Sequence, residues 1–405
     1  MTANPSNAAP VDPSLAAAAQ IPLQTFTLPT FPPEAQNLKS LTLTSDIALN
    51  AYHSLLSDST FSPETAIPPL PRCIESLTLE LFSLGYPPGW LTQLSRRLPN
   101  TKDLVVYSQL LGGITAESQA DAERFFENLR GLRGLHLLDV FAKPGFYGAI
   151  GDILWAERDT EQQAGELGVR KRLLFLEVNF TFQPRQKEFL GTLPGKELHR
   201  LVTPSLVTCA FNVSPADVTN DPQDPTNLTE EGEELASGKE EGVRTLEGNL
   251  AEKLVEALVK DESRPRGLKV LNTTLYILTV TQFGKLLEAH QGLLMVSASI
   301  KEDGSAEKWK KDVRDAALHC PELEQIEVVV VPETQDASAE HLKSTSINLV
   351  SSWKREDIVE LQEKCPKLTG VKVNLLRMQS AGVTDWIKEE DGSWTSQPEG
   401  TVKSK

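Results

Sequence analysis

Cys320-Pro321-Glu322-Leu323-Glu324-Gln325-Ile326-Glu327-Val328 is the stretch that decides the fold. The same frame returns as Cys365-Pro366-Lys367-Leu368-Thr369-Gly370-Val371-Lys372-Val373. In both copies a helix-breaking proline precedes an apolar residue, two spacers and two apolar residues that alternate with a polar one. Such a unit cannot bury its apolar face alone. Its recurrence therefore predicts stacked repeats in a solenoid and not a globule with one pocket.

Looser copies of this phrase precede the two Cys-Pro copies along the chain. Each places alternating apolar residues behind a Pro, a Gly or a helical pattern, which is typical of a short strand after a helix stop. The gaps between copies are irregular, roughly 25 to 45 residues, with one of about 60. The looser copies begin at Leu38, Ile74, Leu104, Leu132, Leu173, Leu206, Leu268 and Leu293.

Helical stripes lie between the phrases, so helix and strand alternate. One stripe joins Trp309, Val313, Ala316 and Cys320 at helical spacing. The pattern predicts an α/β fold with a parallel sheet on one face and helices on the other. A doubly wound α/β domain is the alternative. It is disfavoured because most strands carry polar residues at alternate positions and no Gly-rich phosphate turn follows the first strand.

The Cys-Pro-x-Leu-x-x-Ile/Val-x-Val phrase, with its long irregular spacing, resembles leucine-rich repeats of the ribonuclease-inhibitor-like kind found in F-box proteins. The resemblance implies a horseshoe with the parallel sheet on its concave face and the helices on its convex face, and a protein as its partner. No F-box, the helical module that recruits a ubiquitin ligase core, is recognisable. The segment Leu28-Pro29-Thr30-Phe31-Pro32-Pro33 runs directly into the first predicted strand.

Composition divides the chain into three parts. Residues 1–30 are Ala- and Pro-rich and are predicted to be a disordered tail, residues 31–378 form the solenoid, and residues 379–405 form a C-terminal cap and tail. An acidic insert, 212–242, and a second polar stretch, 332–346, are predicted to be loops within the solenoid. The acidic insert sets nine carboxylates against Lys239: Asp217, Asp221, Asp224, Glu230, Glu231, Glu233, Glu234, Glu240 and Glu241.

The charge of the chain limits its partners. A net charge of -16 disfavours nucleic acid and anionic membranes and favours a protein with a basic segment. Residues 1–33 contain no Lys, no Arg and no long apolar run, so neither a secretory nor a mitochondrial signal is expected. No apolar stretch approaches the roughly 18 residues of a membrane span. These features predict a protein of the cytosol or nucleus.

The sequence shows little that could carry out catalysis. Four Cys and six His residues are scattered without metal-ligand spacing, and the motifs of hydrolases, P-loop proteins and metalloproteases do not occur. We therefore expect no catalytic residue, no cofactor and no metal site. The prediction is a protein that is not an enzyme.

Two sets of residues are candidates for partner binding. The first is aromatic and follows the strands in loops that contain Gly and Pro, where rigid rings suit a binding hot spot: Tyr86, Trp90, Phe146, Tyr147 and Trp155. The alternative is that these rings tuck under their own loops as local core. The second set lies on the predicted strand face: Glu80, His136, Glu177, Asn179, Lys372 and Asn374.

The function that these observations favour is a non-enzymatic scaffold that binds another protein through its strand face and post-strand loops. One alternative is a substrate-recognition component associated with a ubiquitin ligase. Another is an acidic chaperone or adaptor for a basic client, such as a ribosomal protein or a histone, held by the acidic insert. A third is an accessory to GTP hydrolysis, since some GTPase-activating proteins resemble this fold. The oligomeric state does not follow from the sequence.

Overall fold

The computed structural model describes residues 17–32, 35–58, 60–113, 115–155, 172–181, 196–214, 246, 248–331, 353–375 and 384–397. Two compact units divide the chain, Met1–Leu173 and Leu174–Lys405. We refer to them as unit 1 and unit 2. Both are built from β-strands joined by connections that contain helices.

Unit 1 contains a parallel sheet whose strands follow one another in chain order. Its strands are β1 (Ala18–Leu23), β2 (Ser40–Ser45), β3 (Ser76–Glu80), β4 (Asp103–Leu110) and β5 (Gly134–Phe141). Its helices are α1 (Leu49–Ser57), α2 (Pro63–Ala66), α3 (Trp90–Arg97), α4 (Ala116–Asn128) and α5 (Phe146–Trp155).

Unit 2 repeats this order and ends differently. Strands β6 (Phe175–Thr181), β7 (Thr208–Ser214), β8 (Val270–Leu278), β9 (Met295–Lys301), β10 (Gln325–Val331) and β11 (Gly370–Leu375) are parallel neighbours. Strands β12 (Thr384–Lys388) and β13 (Trp394–Gln397) then pair antiparallel. The helices are α6 (Asn249–Val259), α7 (Val280–Ala289), α8 (Ala306–Ala317) and α9 (Arg355–Lys364), and a 3-10 turn covers Leu198–Leu201.

The recurring phrase sets the strand register in both units. Its fourth residue lies opposite the same residue of the next copy, and this position is buried throughout. A second buried residue follows two positions later, and the intervening side chains lie on an open face, except that Ala210 of β7 is also buried. The aligned positions are Leu41, Leu77, Leu104 and Leu135 in unit 1, and Leu176, Cys209, Leu271, Val296, Ile326 and Val371 in unit 2.

Helices cover the buried side of the strands, and their apolar stripes are as predicted. Trp309, Val313 and Ala316 of α8 are buried, and the Trp309 indole donates to the Lys301 carbonyl at 3.0 Å. Asp121 of α4 accepts hydrogen bonds from the backbone N–H groups of Leu91 and Thr92 at the start of α3, at 3.1 and 3.0 Å. Each unit is therefore an α/β solenoid of the leucine-rich-repeat type, and the doubly wound alternative is wrong because strand burial alternates.

The prediction that residues 1–30 are a disordered tail is wrong where β1 lies. Ala18–Leu23 pairs with β2 in the same parallel register as the later strands, for example Ile21 with Leu43. This strand escaped sequence reading because alanine has low strand propensity and the alternate residues are only half-buried. Residues 1–16 lie outside the described residues.

The predicted loops are described only in part. Asn212–Ser214 belongs to β7 and not to the acidic insert, which corrects the start of the insert. The remainder of the insert and the polar stretch 332–346 lie outside the described residues.

A β-hairpin occupies the region in which the C-terminal cap was predicted. Strand β12 pairs with β11, with Trp386 opposite Val371, and β13 pairs with β12. The Trp394 side chain is buried, and its indole N–H donates to Gln362 of α9 at 2.7 Å. The hairpin therefore contacts both the last parallel strand and the last helix.

The described ranges contain neither a membrane-spanning helix nor a cluster of metal-binding side chains. None of the helices described there is long and apolar enough to cross a membrane. Nor do three or more His, Cys, Asp or Glu side chains in those ranges come together as a group that could hold a metal ion.

Candidate functional site

The first predicted set of partner-binding residues begins with Tyr86 and Trp90, and the structure buries both. Their exposed fractions are 5% and 0%. The two rings stack with centroids 5.5 Å apart, and Trp90 also meets the ring of Phe26 edge-on. We name the group formed by Phe26, Tyr52, Phe82, Tyr86 and Trp90 the aromatic cluster.

Hydrogen bonds complete the aromatic cluster. The Trp90 indole donates to the Phe26 carbonyl at 2.8 Å, and the Tyr86 hydroxyl donates to the Gln109 side chain. Gln109 donates in turn to the Leu79 carbonyl at 2.8 Å. Burial raises the pKa of Tyr86 well above its ordinary value. The prediction of exposed rings is wrong for Tyr86 and Trp90, because both are core residues with satisfied polar atoms.

Phe146 and Tyr147 are likewise buried, each with 1% exposure. The Phe146 ring lies against Gly112, where an added Cβ would come within 3.1 Å of it. The Tyr147 hydroxyl donates to the Val140 carbonyl at 2.8 Å, and burial raises the pKa of this phenol. The prediction of exposed rings is therefore wrong for these two as well. Trp155, at the end of α5, is half-buried and stays a prediction.

Among the exposed apolar residues of unit 1, Leu49 and Leu56 lie on α1, whereas Leu81 and Tyr107, which are 46% and 41% exposed, lie at the strands. Leu81 follows Glu80, whose register partner is Tyr107, and the Leu81 N–H donates to the Tyr107 carbonyl at 3.0 Å. Leu81 has a φ of 61°, which is rare for a branched residue and redirects the chain at the end of β3. Sequence reading missed this exposure because leucine at a strand end usually indicates core.

The second predicted set lies on the open face of the strands. In unit 1, Glu80 is half-buried and accepts a hydrogen bond from the Thr44 hydroxyl at 3.1 Å. His136 is half-buried and lies opposite Val105 in the register. The register places it in one row with Gln20, Thr42, Thr78 and Val105, so this row carries uncharged polar side chains, one valine and one imidazole.

In unit 2, the open face begins with paired polar residues on β6 and β7. Asn212 donates to Glu177 at 3.1 Å. Asn179 and Ser214 exchange two hydrogen bonds, at 3.0 and 3.1 Å. These four side chains are half-buried. Each is therefore partly exposed, and the hydrogen bonds between them restrain its position.

Glu327 is the centre of a larger polar group on the same face. One of its oxygens accepts from the Ser297 hydroxyl at 3.1 Å, and the other accepts from the Asn374 amide at 2.8 Å. The Lys372 ammonium lies 3.5 Å from that second oxygen. Asp385 of β12 is opposite Lys372 in the register. We name Ser297, Glu327, Lys372, Asn374 and Asp385 the Glu327 group.

The charges within the Glu327 group influence one another. Burial raises the pKa of Asp385, Glu327 adds to that rise, and Lys372 opposes it. Lys372 and Glu327 keep side-chain exposures of 42% and 31%, so both remain accessible. Glu327 and Ser297 follow from the spacer pattern in the sequence. Asp385 does not, because its strand is antiparallel and lacks the repeated phrase.

Comparison with known proteins adds little to this description. No protein-family model matches the chain, and no curated protein matches it. Among solved structures, it is similar to the yeast Rad7 and Elc1 complex, with 13% identity, 85% of this chain and 79% of that chain covered, and a TM-score of 0.31. It is also similar to an internalin, inlF, from Listeria monocytogenes, with 9% identity, 75% and 78% covered, and a TM-score of 0.27. At TM-scores this low, neither similarity bears on fold or function, and the fold class rests on strand order, register and burial.

Proposed function

We propose that this protein is a non-enzymatic scaffold that binds another protein through the open face of the unit 2 strands. The observation that carries the proposal is the Glu327 group. It presents a carboxylate, an ammonium, a hydroxyl and an amide from adjacent strands, hydrogen-bonded to one another and still partly exposed.

A side-chain group held in this way suits protein binding for an energetic reason. Association normally costs about 0.5–1.5 kcal/mol for each long side chain that it immobilises. Glu327 and Lys372 are already restrained by neighbours on rigid strands, so a partner would order them at less cost. The same holds for the Glu177 and Asn212 pair.

The charge of this face favours a partner with a basic segment. Glu177, Glu327 and Asp385 are carboxylates, and Lys372 is the cation among them. The excess of negative charge agrees in sign with the net charge of the whole chain. Steering by such charge raises association rates and falls with ionic strength.

The experiment that tests this proposal is affinity capture with matched charge reversals. The test variant carries Glu177→Lys and Glu327→Lys on the open face. The control variant carries Glu288→Lys and Glu363→Lys, two exposed glutamates of α7 and α9. Captured proteins are quantified by mass spectrometry, and the strongest one is purified and titrated against all three forms.

We expect the test variant to lose at least about tenfold in affinity, since each reversed buried or half-buried contact costs about 1.4 kcal/mol or more. The control variant should bind as the wild type does, because its changes lie on helices. Equal affinity of both variants for the purified partner would reject the open face as the binding surface. Circular dichroism checks that both variants are folded.

The other functions remain predictions. The ubiquitin ligase alternative is tested by whether the chain captures the adaptor subunit that F-boxes bind. The chaperone alternative depends on the acidic insert, most of which lies outside the described residues. Deleting residues 215–242 and measuring the salt dependence of client binding would decide whether the insert contributes.

A further inference from the structure

A cavity of about 310 Å³ lies in unit 2 between two connections that lead from a helix into a strand. One wall comes from Arg264–Lys269, between α6 and β8, and the other from Ala289–Gly292, between α7 and β9. The cavity is therefore at the edge where the strands begin and belongs to neither predicted set of partner-binding residues. Its volume is at the lower end of the range for small-ligand sites.

Three cationic side chains line this cavity, and their hydrogen-bonding capacity is largely unused. The Arg264 side chain is 35% exposed and meets Asp261 at 3.5 Å through Nη2, while its Nε, which has no hydrogen-bond partner among the described residues, is shielded from solvent. Arg266 is exposed and makes no side-chain hydrogen bond or ion pair with the residues that the structure describes. The Lys269 ammonium donates once, to the Gly292 carbonyl at 3.1 Å.

His290 supports the wall of the cavity. It is 5% exposed, and its Nε2–H donates to the Leu258 carbonyl at 2.8 Å near the end of α6. Burial lowers the pKa of this imidazole, the hydrogen bond to Leu258 opposes that shift and the nearby Arg264 adds to it, so the net change favours the neutral ring. His290 thus joins α6 to the second wall and adds no charge to the cavity.

Few carboxylates balance the three cations. Asp261 contacts Arg264, but its own side chain is 91% exposed, so water screens this pair. Glu262 pairs with Lys260 at 3.4 Å, outside the cavity lining. Lys269 lowers the pKa of Glu322, but that carboxylate is hydrogen-bonded to Lys367. The cavity is consequently a cationic site on a chain whose net charge is -16.

We propose that this cavity binds a phosphate anion, free or esterified to a protein side chain, through Arg264, Arg266 and Lys269. A phosphate group offers three acceptor oxygens and close to two negative charges at neutral pH. Two guanidinium groups and one ammonium match that number of oxygens, and arginine pairs with phosphate in a planar, two-bond geometry.

The phosphate could be free or attached to a protein side chain, and the experiment separates these sources. The full chain is titrated by calorimetry with inorganic phosphate, with a short phosphoserine peptide and with the same peptide unphosphorylated, at constant ionic strength. The variants are Arg266→Gln with Lys269→Gln, and Arg264→Gln. The control is Lys260→Gln, an exposed lysine outside the cavity lining.

We expect the wild type and Lys260→Gln to bind both phosphate probes, and each cavity variant to bind at least about tenfold more weakly, as for the loss of one charge-assisted hydrogen bond. Tighter binding of the phosphopeptide would identify a phosphorylated protein as the ligand, and equal binding would identify the free anion. Equal affinity of the wild type and Arg266→Gln with Lys269→Gln would overturn the proposal. So would binding of the unphosphorylated peptide as tightly as the phosphorylated one. Arg266 and Lys269 are exposed, so this double variant is expected to fold even if Arg264→Gln does not.

Discussion

The aromatic cluster of unit 1 and the Glu327 group of unit 2 each contain two residues that were predicted to bind a partner, and the two groups differ in burial. The cluster rings leave almost no accessible area, whereas Glu327 and Lys372 keep roughly a third or more of theirs. The aromatic rings are buried against one another because their packing removes a large apolar area from water. Polar spacers on strands stay exposed because the register keeps them on the open face.

This contrast also separates stability from recognition. Removing a ring from the aromatic cluster leaves a cavity, while removing a charge from the Glu327 group disturbs a contact that water already screens. We therefore expect large effects on unfolding from the cluster and small ones from the group. The following predictions test that difference, in order of decreasing effect.

Trp90→Ala should lower the free energy of unfolding of unit 1 by about 3–5 kcal/mol, because a buried ring and its bond to the Phe26 carbonyl are both lost. Tyr107→Ala is the matched control, since that ring is 41% exposed, and should cost under about 1 kcal/mol. Urea unfolding followed by circular dichroism measures both. Similar losses in the two variants would show that the aromatic cluster is not core.

Tyr86→Phe should lower the free energy of unfolding by about 1–2 kcal/mol. The ring is kept, but the Gln109 side chain loses its donor in a buried position. The matched control is Tyr107→Phe, which should be close to neutral. If Tyr86→Phe leaves the free energy of unfolding unchanged, water bonds to the Tyr86 hydroxyl and Gln109 is accessible to it.

Glu327→Gln should change the free energy of unfolding by under about 1 kcal/mol, because its partner Lys372 is 42% exposed. The same change should weaken partner binding if the Glu327 group is the binding surface. Glu288→Gln on α7 serves as control for both measurements. A large loss of stability with no loss of partner binding would show that the Glu327 group stabilises the fold and does not bind the partner.

The smallest expected effect is a change in the pKa of Asp385 when a neighbouring charge is removed. Lys372→Met should raise the pKa of this carboxyl and Glu327→Gln should lower it, as measured by NMR titration of the side-chain carboxyl carbon. Because the folded state favours the neutral acid, the contribution of Asp385 to the free energy of unfolding is greatest below its unfolded pKa, about 4, and falls as the pH rises through the folded value. Shifts of the opposite sign would place Asp385 away from both charges.

Residue pattern alone was enough to predict the solenoid. Alternating apolar positions from Leu41 to Val371 align as the repeated phrase requires, since a one-residue slip would expose every buried side chain. Spacer residues such as Glu177 and Lys372 were placed on the open face by the same alternation. These predictions depend on local periodicity, which sequence records directly.

Other features depend on contacts between distant segments and could not be predicted in this way. Trp90 is buried because Phe26 lies over it, and no local pattern near Trp90 reveals Phe26. Asp385 meets Lys372 through an antiparallel pairing that the repeats do not contain. The cavity in unit 2 is lined by Arg264 on one wall and by His290 on the other. Only the packing of consecutive repeats brings these two residues together.

The pairing of β7 with β8 has a practical consequence. Cys209 lies opposite Leu271 just as Leu176 lies opposite Cys209, although the chain between β7 and β8 is longer and these two strands pair over three residues where β6 and β7 pair over seven. The register at this position is thus insensitive to the length of the chain that connects two neighbouring strands. This is expected because lengthening a loop adds little to the entropic cost of closing it. A reporter domain inserted after Ser214 should leave every strand partner unchanged, which makes this position suitable for labelling the protein in cells.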